Sequence, residues 1–127
     1  MIWQPQGDHL VKRLIDWTRE EIKPIAVGFG ACLVTNRVAI EGRSIGYMYR
    51  EEPDNEVDGG WRFFAGDEDD AYVDDPSNTS VFNVNTVANH DPAITPHLIA
   101  PFGSSFVRDS EGFKPDPLGV PVRPEDN

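Results

Sequence analysis

The side chains of this sequence that are best suited to chemistry are the carboxylates of one segment, residues 51–75. This segment holds 11 of the 22 acidic residues and one of the 11 basic residues, so its net charge is −10. The other 102 residues carry 11 acids and 10 bases, a net charge of −1. Carboxylates at this density suit three tasks: binding a hard cation, acid–base catalysis, or attracting a positively charged protein. The same charge repels phosphate backbones and anionic lipid, so we expect no binding to nucleic acid or membrane surfaces.

A calcium loop is the most specific metal site that the segment suggests. Four residues match positions 1, 3, 5 and 6 of such a loop: Asp54, Glu56, Asp58 and Gly59. Position 12, which holds a bidentate glutamate in a complete loop, is Ala65. Only the first half of the motif is present, so no specific metal site is predicted. A carboxylate-rich domain that binds calcium is the alternative function.

Catalysis would need a nucleophile beside a base, and the sequence offers weak candidates. Cys32 is the one cysteine, which excludes an internal disulfide and a cysteine-based zinc site. It lies in an apolar run, where a cysteine is usually an unreactive core residue, and His90 is interpreted as a turn residue. No HExxH pair, phosphate-binding glycine loop or nucleophile elbow is present. The prediction is a non-catalytic protein without a cofactor, and a hydrolase that uses His90 or His97 beside a carboxylate stays open.

Aromatic side chains lie among the acids of the segment. Alternate side chains of a strand face opposite sides, so Trp61, Phe63 and Phe64 cannot all point into the core. An aromatic ring beside carboxylates is an arrangement that gives a protein interface both an apolar anchor and a fast association rate. The predicted partner-binding residues are Tyr49, Glu51, Glu52, Asp54, Glu56, Asp58, Trp61, Phe64, Asp67, Glu68, Asp69 and Asp70. One of Tyr49, Trp61 or Phe64 is expected to be the anchor. The simpler interpretation is that the rings are core and the acids serve solubility.

The elements that must position these residues indicate an α+β fold. Leu10, Leu14 and Trp17 have the spacing of an amphipathic helix over residues 8–22, which Pro24 would end. We expect this helix to pack on a mostly antiparallel sheet of five or six short strands. The strand candidates are residues 31–36, 38–40, 45–50, 61–66, 80–85 and 103–109, with a helical turn at 86–89.

Length and hydropathy predict the domain organisation and the compartment. A chain of 127 residues is long enough for one domain, predicted over residues 1–112, with a proline-rich tail over residues 113–127. No apolar run has the length needed to span a bilayer, and the first residues lack the pattern of a signal peptide. A cytoplasmic location is therefore expected.

Several blocks of residues in this chain resemble a known family. The most distinctive blocks are GYMYRE at 46–51, GWRFF at 60–64 and GDE at 66–68, followed by the stretches 81–92 and 101–109. In this order they resemble a bacterial domain-of-unknown-function family that is described as an immunity protein family, number thirty-three, of polymorphic toxin systems. The resemblance covers roughly residues 30–110. It implies a small cytoplasmic α+β protein that binds and neutralises a cognate toxin without catalysis, and it assigns no toxin-contact residue.

The acidic segment and the resemblance together predict a basic toxin domain as the partner. Toxins that act on nucleic acid tend to present a basic cleft, which an acidic protein can occupy as a substrate mimic. Long-range attraction would then speed the association of the two proteins. The sequence therefore predicts an acidic, aromatic-containing binding face, and it leaves the oligomeric state open.

Overall fold

The computed structural model describes residues 12–120, which form a six-stranded sheet and several short helices. The strands are β1 Ala31–Thr35, β2 Tyr47–Arg50, β3 Asp58–Phe64, β4 Thr79–Asn83, β5 Ser105–Asp109 and β6 Gly112–Pro115. The α-helices are α1 Asn36–Ala39, α2 Asp70–Asp74 and α3 Val84–His90, and 3-10 turns cover Leu14–Asp16, Pro76–Asn78 and Pro92–His97. The predicted α+β class is confirmed. Among residues 12–120, no helix has the length and apolar character required to cross a membrane.

The strand order places β3 near the middle of the sheet. The order is β4-β1-β3-β2-β5-β6. The pair β1–β3 is parallel, and the pairs β1–β4, β2–β3, β2–β5 and β5–β6 are antiparallel. The prediction of a mostly antiparallel sheet is therefore confirmed. Because β3 begins at Asp58 and ends at Phe64, it carries the chain from the first half of the acidic segment to the second.

One face of the sheet holds the hydrophobic core. The strand register places Val34 of β1 and Met48 of β2 on either side of Phe63 of β3, and all three side chains are buried. Val38 of α1 and Val87 of α3 belong to the same buried cluster. Burial of these side chains against one another is the main stabilising contribution to the fold.

The opposite face of the sheet carries a different set of side chains. In the register of β2 and β3, Tyr47 lies opposite Phe64 and Tyr49 lies opposite Arg62. These four residues alternate with the core residues, so they point away from the core. We call the side of the sheet that carries them the outer face. Val107 of β5 lies opposite Tyr47 and is partly exposed, so the outer face is open to solvent there.

The amphipathic helix predicted over residues 8–22 is wrong where the structure describes it, and residues 8–11 lie outside the described residues. Only the 3-10 turn Leu14–Asp16 forms in this segment. The carboxylate of Asp16 accepts hydrogen bonds from the backbone N–H and the guanidinium of Arg13. This local bonding satisfies backbone groups that a helix would otherwise pair.

Tertiary contacts explain why the apolar spacing of this segment misled the prediction. The indole N–H of Trp17 donates to Nδ1 of His90 in α3 at 3.2 Å. Leu14 is buried in the core cluster, whereas the side chain of its apolar neighbour Ile15 is 47% exposed. The apolar residues therefore anchor an irregular segment at two points and do not form a continuous helical stripe.

Two further differences concern short elements. The strand predicted at 38–40 is wrong, because this stretch belongs mainly to α1: the carbonyl of Asn36 accepts hydrogen bonds from the N–H groups of Ile40 and Glu41. At the other end of the chain, β6 lies across the boundary predicted between the domain and the tail and pairs with β5.

Two glycines at the start of β3 allow unusually close approach of neighbouring backbone. A Cβ atom on Gly59 would lie 1.9 Å from the carbonyl oxygen of Phe29. A Cβ atom on Gly60, which has a φ of +91°, would lie 2.2 Å from the carbonyl oxygen of Glu51. The entry to β3 is therefore packed backbone against backbone on both sides, where only glycine fits.

We predict that Gly59→Ala lowers the free energy of unfolding by about 2–3 kcal/mol, because a backbone oxygen must move to admit the methyl group. Urea denaturation measures this difference. The control is Gly28→Ala, where φ is +96° and nothing lies within 4 Å of the added atom. Its cost is backbone strain alone, about 1 kcal/mol. An equal loss of unfolding free energy in both variants would show that the close backbone approach at Gly59 adds no cost to the substitution.

Candidate functional site

A buried arginine organises the first group of acids. The first acidic cluster lies in the loop between β2 and β3 and at the first residue of β3, and it consists of Glu51, Glu52, Asp54, Glu56 and Asp58. The side chain of Arg62 on the outer face is only 3% exposed, and its Nη1 and Nη2 donate to the two carboxylate oxygens of Asp58 at 2.9 and 2.8 Å. Its Nε donates to Glu51 at 2.6 Å, and Asp54 lies at 3.4 Å from Nη2. A bidentate hydrogen-bonded pair of this kind between arginine and carboxylate is strong, and it fixes the relative orientation of the two side chains.

The protonation of this ion pair is stable around neutral pH. Burial alone would raise the pKa of Asp58, but hydrogen bonds from Arg62 and from the N–H groups of Asp54 and Gly60 lower it to about 2. Burial would lower the pKa of Arg62, yet its hydrogen bonds to Asp58 and Glu51 raise it above the ordinary value. Both groups are therefore charged at physiological pH, and Asp58 serves to hold the loop.

The second acidic cluster lies beyond the other end of β3 and consists of Asp67, Glu68, Asp69 and Asp70. The carboxylate of Asp67 lies between Arg37, at 2.8 Å, and Arg43, and these hydrogen bonds lower its pKa. Glu68 accepts hydrogen bonds from a threonine hydroxyl of β1 and from two backbone N–H groups. Asp69 caps α2 by accepting from the N–H of Tyr72 at 2.8 Å. Three of these four acids therefore hold local structure together.

The two acidic clusters, adjacent in the sequence, are separated by the length of β3. Six residue steps from Asp58 to Phe64 correspond to about 20 Å of extended strand. Three of the predicted binding acids are exposed and make no hydrogen bond or ion pair with any of residues 12–120: Glu52, Glu56 and Asp70. Two of them belong to the first cluster and one to the second, so unpaired negative charge is available at both ends of the strand.

The three candidate anchors lie in different environments. Trp61 is fully buried on the core face, where its indole N–H donates to the carbonyl of Leu98 at 3.3 Å. Tyr49 is buried on the outer face, and its ring stacks on Phe64 with a centroid distance of 5.5 Å. Phe64 is partly exposed, which leaves it as the most accessible of the three.

A further aromatic residue of the outer face was missed by sequence reasoning. The ring of Tyr47 contacts those of Phe64 at 5.5 Å and Tyr49 at 5.9 Å, and it is partly exposed. Burial, with the nearby groups of Asp116 and Tyr49, raises the pKa of Tyr47 to about 12, so the ring carries a neutral hydroxyl. The alternation of β2 places Tyr47 on the same face as Tyr49, and this was the available signal.

The candidate nucleophile and the two candidate bases are held in packing and hydrogen-bond contacts within the fold. Cys32 is buried, burial raises the pKa of its thiol, and its Sγ contacts the carbonyl of Phe82 at 3.3 Å. His90 accepts a hydrogen bond from the indole of Trp17, and the ring of His97 packs on Phe106 at a centroid distance of 4.7 Å. Each of these side chains therefore contributes to packing where the structure places it.

The residues that resemble half of a calcium loop form ion pairs within the protein. Two of its carboxylates, Asp54 and Asp58, are turned toward Arg62. Within residues 12–120, no group of three or more His, Cys, Asp or Glu side chains is arranged to hold a metal ion.

Comparison with known proteins shows the class of protein. The family model described as the Immunity protein Imm33 domain matches residues 32–114, more than half of the 127-residue chain. The chain belongs to the Imm33 immunity protein family. The match runs from the second residue of β1 to the third residue of β6, so it includes four complete strands, most of β1 and β6, and both acidic clusters. No curated protein and no solved structure matches the chain.

Membership of the Imm33 family confirms the resemblance found in the sequence. It implies that the chain neutralises a cognate toxin, and immunity proteins of this family are typically non-catalytic.

We predict that Arg62→Met destabilises the Imm33 domain by about 3–5 kcal/mol, because it leaves buried carboxylates without their partner. Urea denaturation at neutral pH measures the loss. The control is Arg13→Met, which removes an exposed ion pair with Asp16 and should have a much smaller effect, because solvent screens exposed charges. Similar losses in the two variants would contradict a special role for Arg62.

We also predict that the stability difference between the wild type and Asp58→Asn depends on pH. The pKa of Asp58 is about 2 in the folded protein, below the ordinary value of 3.8, so the ionised group stabilises the folded state above about pH 4. This contribution, about 1–2 kcal/mol at neutral pH, is lost as the pH falls through the folded pKa. Urea denaturation of both proteins between about pH 7 and pH 2.5 should show the difference narrowing. A constant difference would mean that the carboxylate of Asp58 is not stabilised by the fold.

Proposed function

We propose that this Imm33 chain neutralises a basic toxin domain by binding it with the outer face and with the two acidic clusters at its ends. The observation that carries the proposal is the placement of unpaired carboxylates around accessible rings. Glu52 and Glu56 lie at one end of β3 and Asp70 beyond the other, while Tyr47 and Phe64 lie on the outer face at the end nearer Asp70. We place this activity in the cytoplasm, as predicted from the sequence.

Charge supports a basic partner. Residues 51–75 have a net charge of −10, and adding Arg37 and Arg43, which bind Asp67 from outside this segment, leaves −8. The internal ion pairs therefore neutralise only a minor part of the negative charge. A field of this sign accelerates association with a basic surface, such as the cleft of a toxin that acts on nucleic acid, and weakens as salt is added.

The dimensions of the surface also support the proposal. A protein interface of standard size buries about 800 Å² on each partner, which corresponds to a patch about 30 Å across. The two acidic clusters are separated by about 20 Å of strand, so one partner can cover both. Phe64 is held by ring contacts with Tyr47 and Tyr49, and a side chain fixed before binding loses little conformational entropy in the complex.

We predict that Glu52→Gln, Glu56→Gln and Asp70→Asn each lower the association rate with the toxin by about two- to threefold at low salt. The binding partner for the measurement is the toxin domain that a pull-down with this chain as bait recovers from the lysate of its own organism, and association is followed by surface plasmon resonance at about 0.05 M and about 0.5 M salt. The effect should nearly vanish at high salt because screening removes the long-range attraction.

The matched control is Glu20→Gln, which removes an exposed carboxylate from the segment that precedes β1. Its association rate should equal that of the wild type. If all four variants associate equally fast at low salt, the toxin binds a different surface. An effect of Glu52→Gln and Glu56→Gln without an effect of Asp70→Asn would restrict the interface to the first acidic cluster.

A further inference from the structure

A loop next to the first acidic cluster exposes two large apolar side chains. Residues 98–103 connect the 3-10 turn Pro92–His97 to β5, and we call them the apolar loop. The side chain of Ile99 is 81% exposed and that of Phe102 is 49% exposed. Leu98, the first residue of the loop, is fully buried. The loop therefore directs Leu98 into the core and presents Ile99 and Phe102 to the solvent.

The apolar loop is held in one conformation by the end of β2. The guanidinium of Arg50 donates from Nη1 to the carbonyl of Ala100 at 2.8 Å and lies 4.6 Å from the ring centroid of Phe102. The backbone of Arg50 also pairs with this loop. Its carbonyl oxygen accepts a hydrogen bond from the N–H of Gly103 at 2.7 Å, and the N–H of Arg50 donates to the carbonyl oxygen of Ser104 at 2.9 Å. The loop is thus bound in its middle and at its end.

The same arginine joins the apolar loop to the first acidic cluster. Nε of Arg50 donates to the carbonyl of Gly59 at 2.9 Å, directly after Asp58. One guanidinium therefore bridges the backbone of the apolar loop and the start of β3. Val57, in the loop between β2 and β3, is largely exposed, so apolar and acidic side chains share this end of the sheet.

The exposed apolar and acidic side chains at this end of the sheet fit a protein partner whose surface is partly apolar and partly basic. Apolar side chains on a pre-formed loop gain free energy when a partner covers them, and little conformational entropy is lost because the loop is already fixed. Acids around such a centre select a partner whose surface is basic at the corresponding places.

We propose that the apolar loop is a second contact with the toxin, in which Ile99 and Phe102 occupy an apolar depression bordered by basic residues that meet Glu52 and Glu56. This inference rests on the proposed function for the identity of the partner. It adds a division of roles: the carboxylates set the association rate, and the apolar loop sets the dissociation rate.

The test uses Ile99→Ser and Phe102→Ser in the full chain, with the same toxin domain, recovered by pull-down, as the probe. Each variant should raise the dissociation rate by about tenfold, because a central apolar anchor carries a large share of the binding free energy. The increase should be the same at low and at high salt, and the association rate should stay near the wild-type value. The control Ile15→Ser, which removes an equally large exposed side chain from the 3-10 turn Leu14–Asp16, should change neither rate.

The outcomes separate this inference from the proposed function. Unchanged dissociation rates for Ile99→Ser and Phe102→Ser overturn the inference, even if the carboxylate variants slow association. Raised dissociation rates together with unaffected carboxylate variants support the apolar loop and overturn the acidic face. Absence of any complex with the wild-type chain overturns both. Thermal melting of each variant checks folding, and Ile99→Ser decides the matter if Phe102→Ser is destabilised through its contact with Arg50.

Discussion

A buried guanidinium is the constraint on which the acidic surface depends. Arg62 lies on the outer face of the central strand, where a charge is stable only with hydrogen-bonded partners of opposite sign. Asp58 and Glu51 supply these partners, and they come from the two ends of the loop that joins β2 to β3. The loop is therefore drawn against the sheet at both ends. Glu52 and Glu56, between these ends, are left exposed to solvent.

The position of β3 then determines how the remaining charge is distributed. A segment that is almost uniformly acidic in the sequence becomes two groups of acids at opposite ends of one strand. In the second group, Asp67 pairs with two arginines, while Glu68 and Asp69 accept hydrogen bonds from nearby hydroxyl and N–H groups, so most of its carboxylates are also tied to the framework. The structure thus divides the acids into those that hold loops and those that face outward, and both kinds occur at each end of the sheet.

Much of the sheet could be predicted from the sequence, because runs of alternating or continuous apolar residues bounded by turn residues favour strands. Alternation also predicted correctly that Phe63 and Phe64 face opposite sides. The N-terminal helix and the strand at 38–40 could not be predicted, since the hydrogen bond between Trp17 and His90 and the local bonding at Asn36 override intrinsic propensity.

The acids of the candidate site could be identified from the sequence. Which of them are structural depends on contacts with Arg62, Arg37 and Arg43, which only the fold reveals. The apolar loop was missed because its residues have the composition of a buried segment.

The link that Arg50 makes between two loops has a consequence for how this chain can change over generations. Most residues that hold the loops in place are distinct from those that the loops expose, such as Glu52, Glu56 and Ile99. Substitutions at the exposed positions alter the chemistry offered to a partner while the backbone that carries them stays where it is. A lineage confronted with an altered toxin can therefore retune its recognition one side chain at a time, without passing through unfolded intermediates.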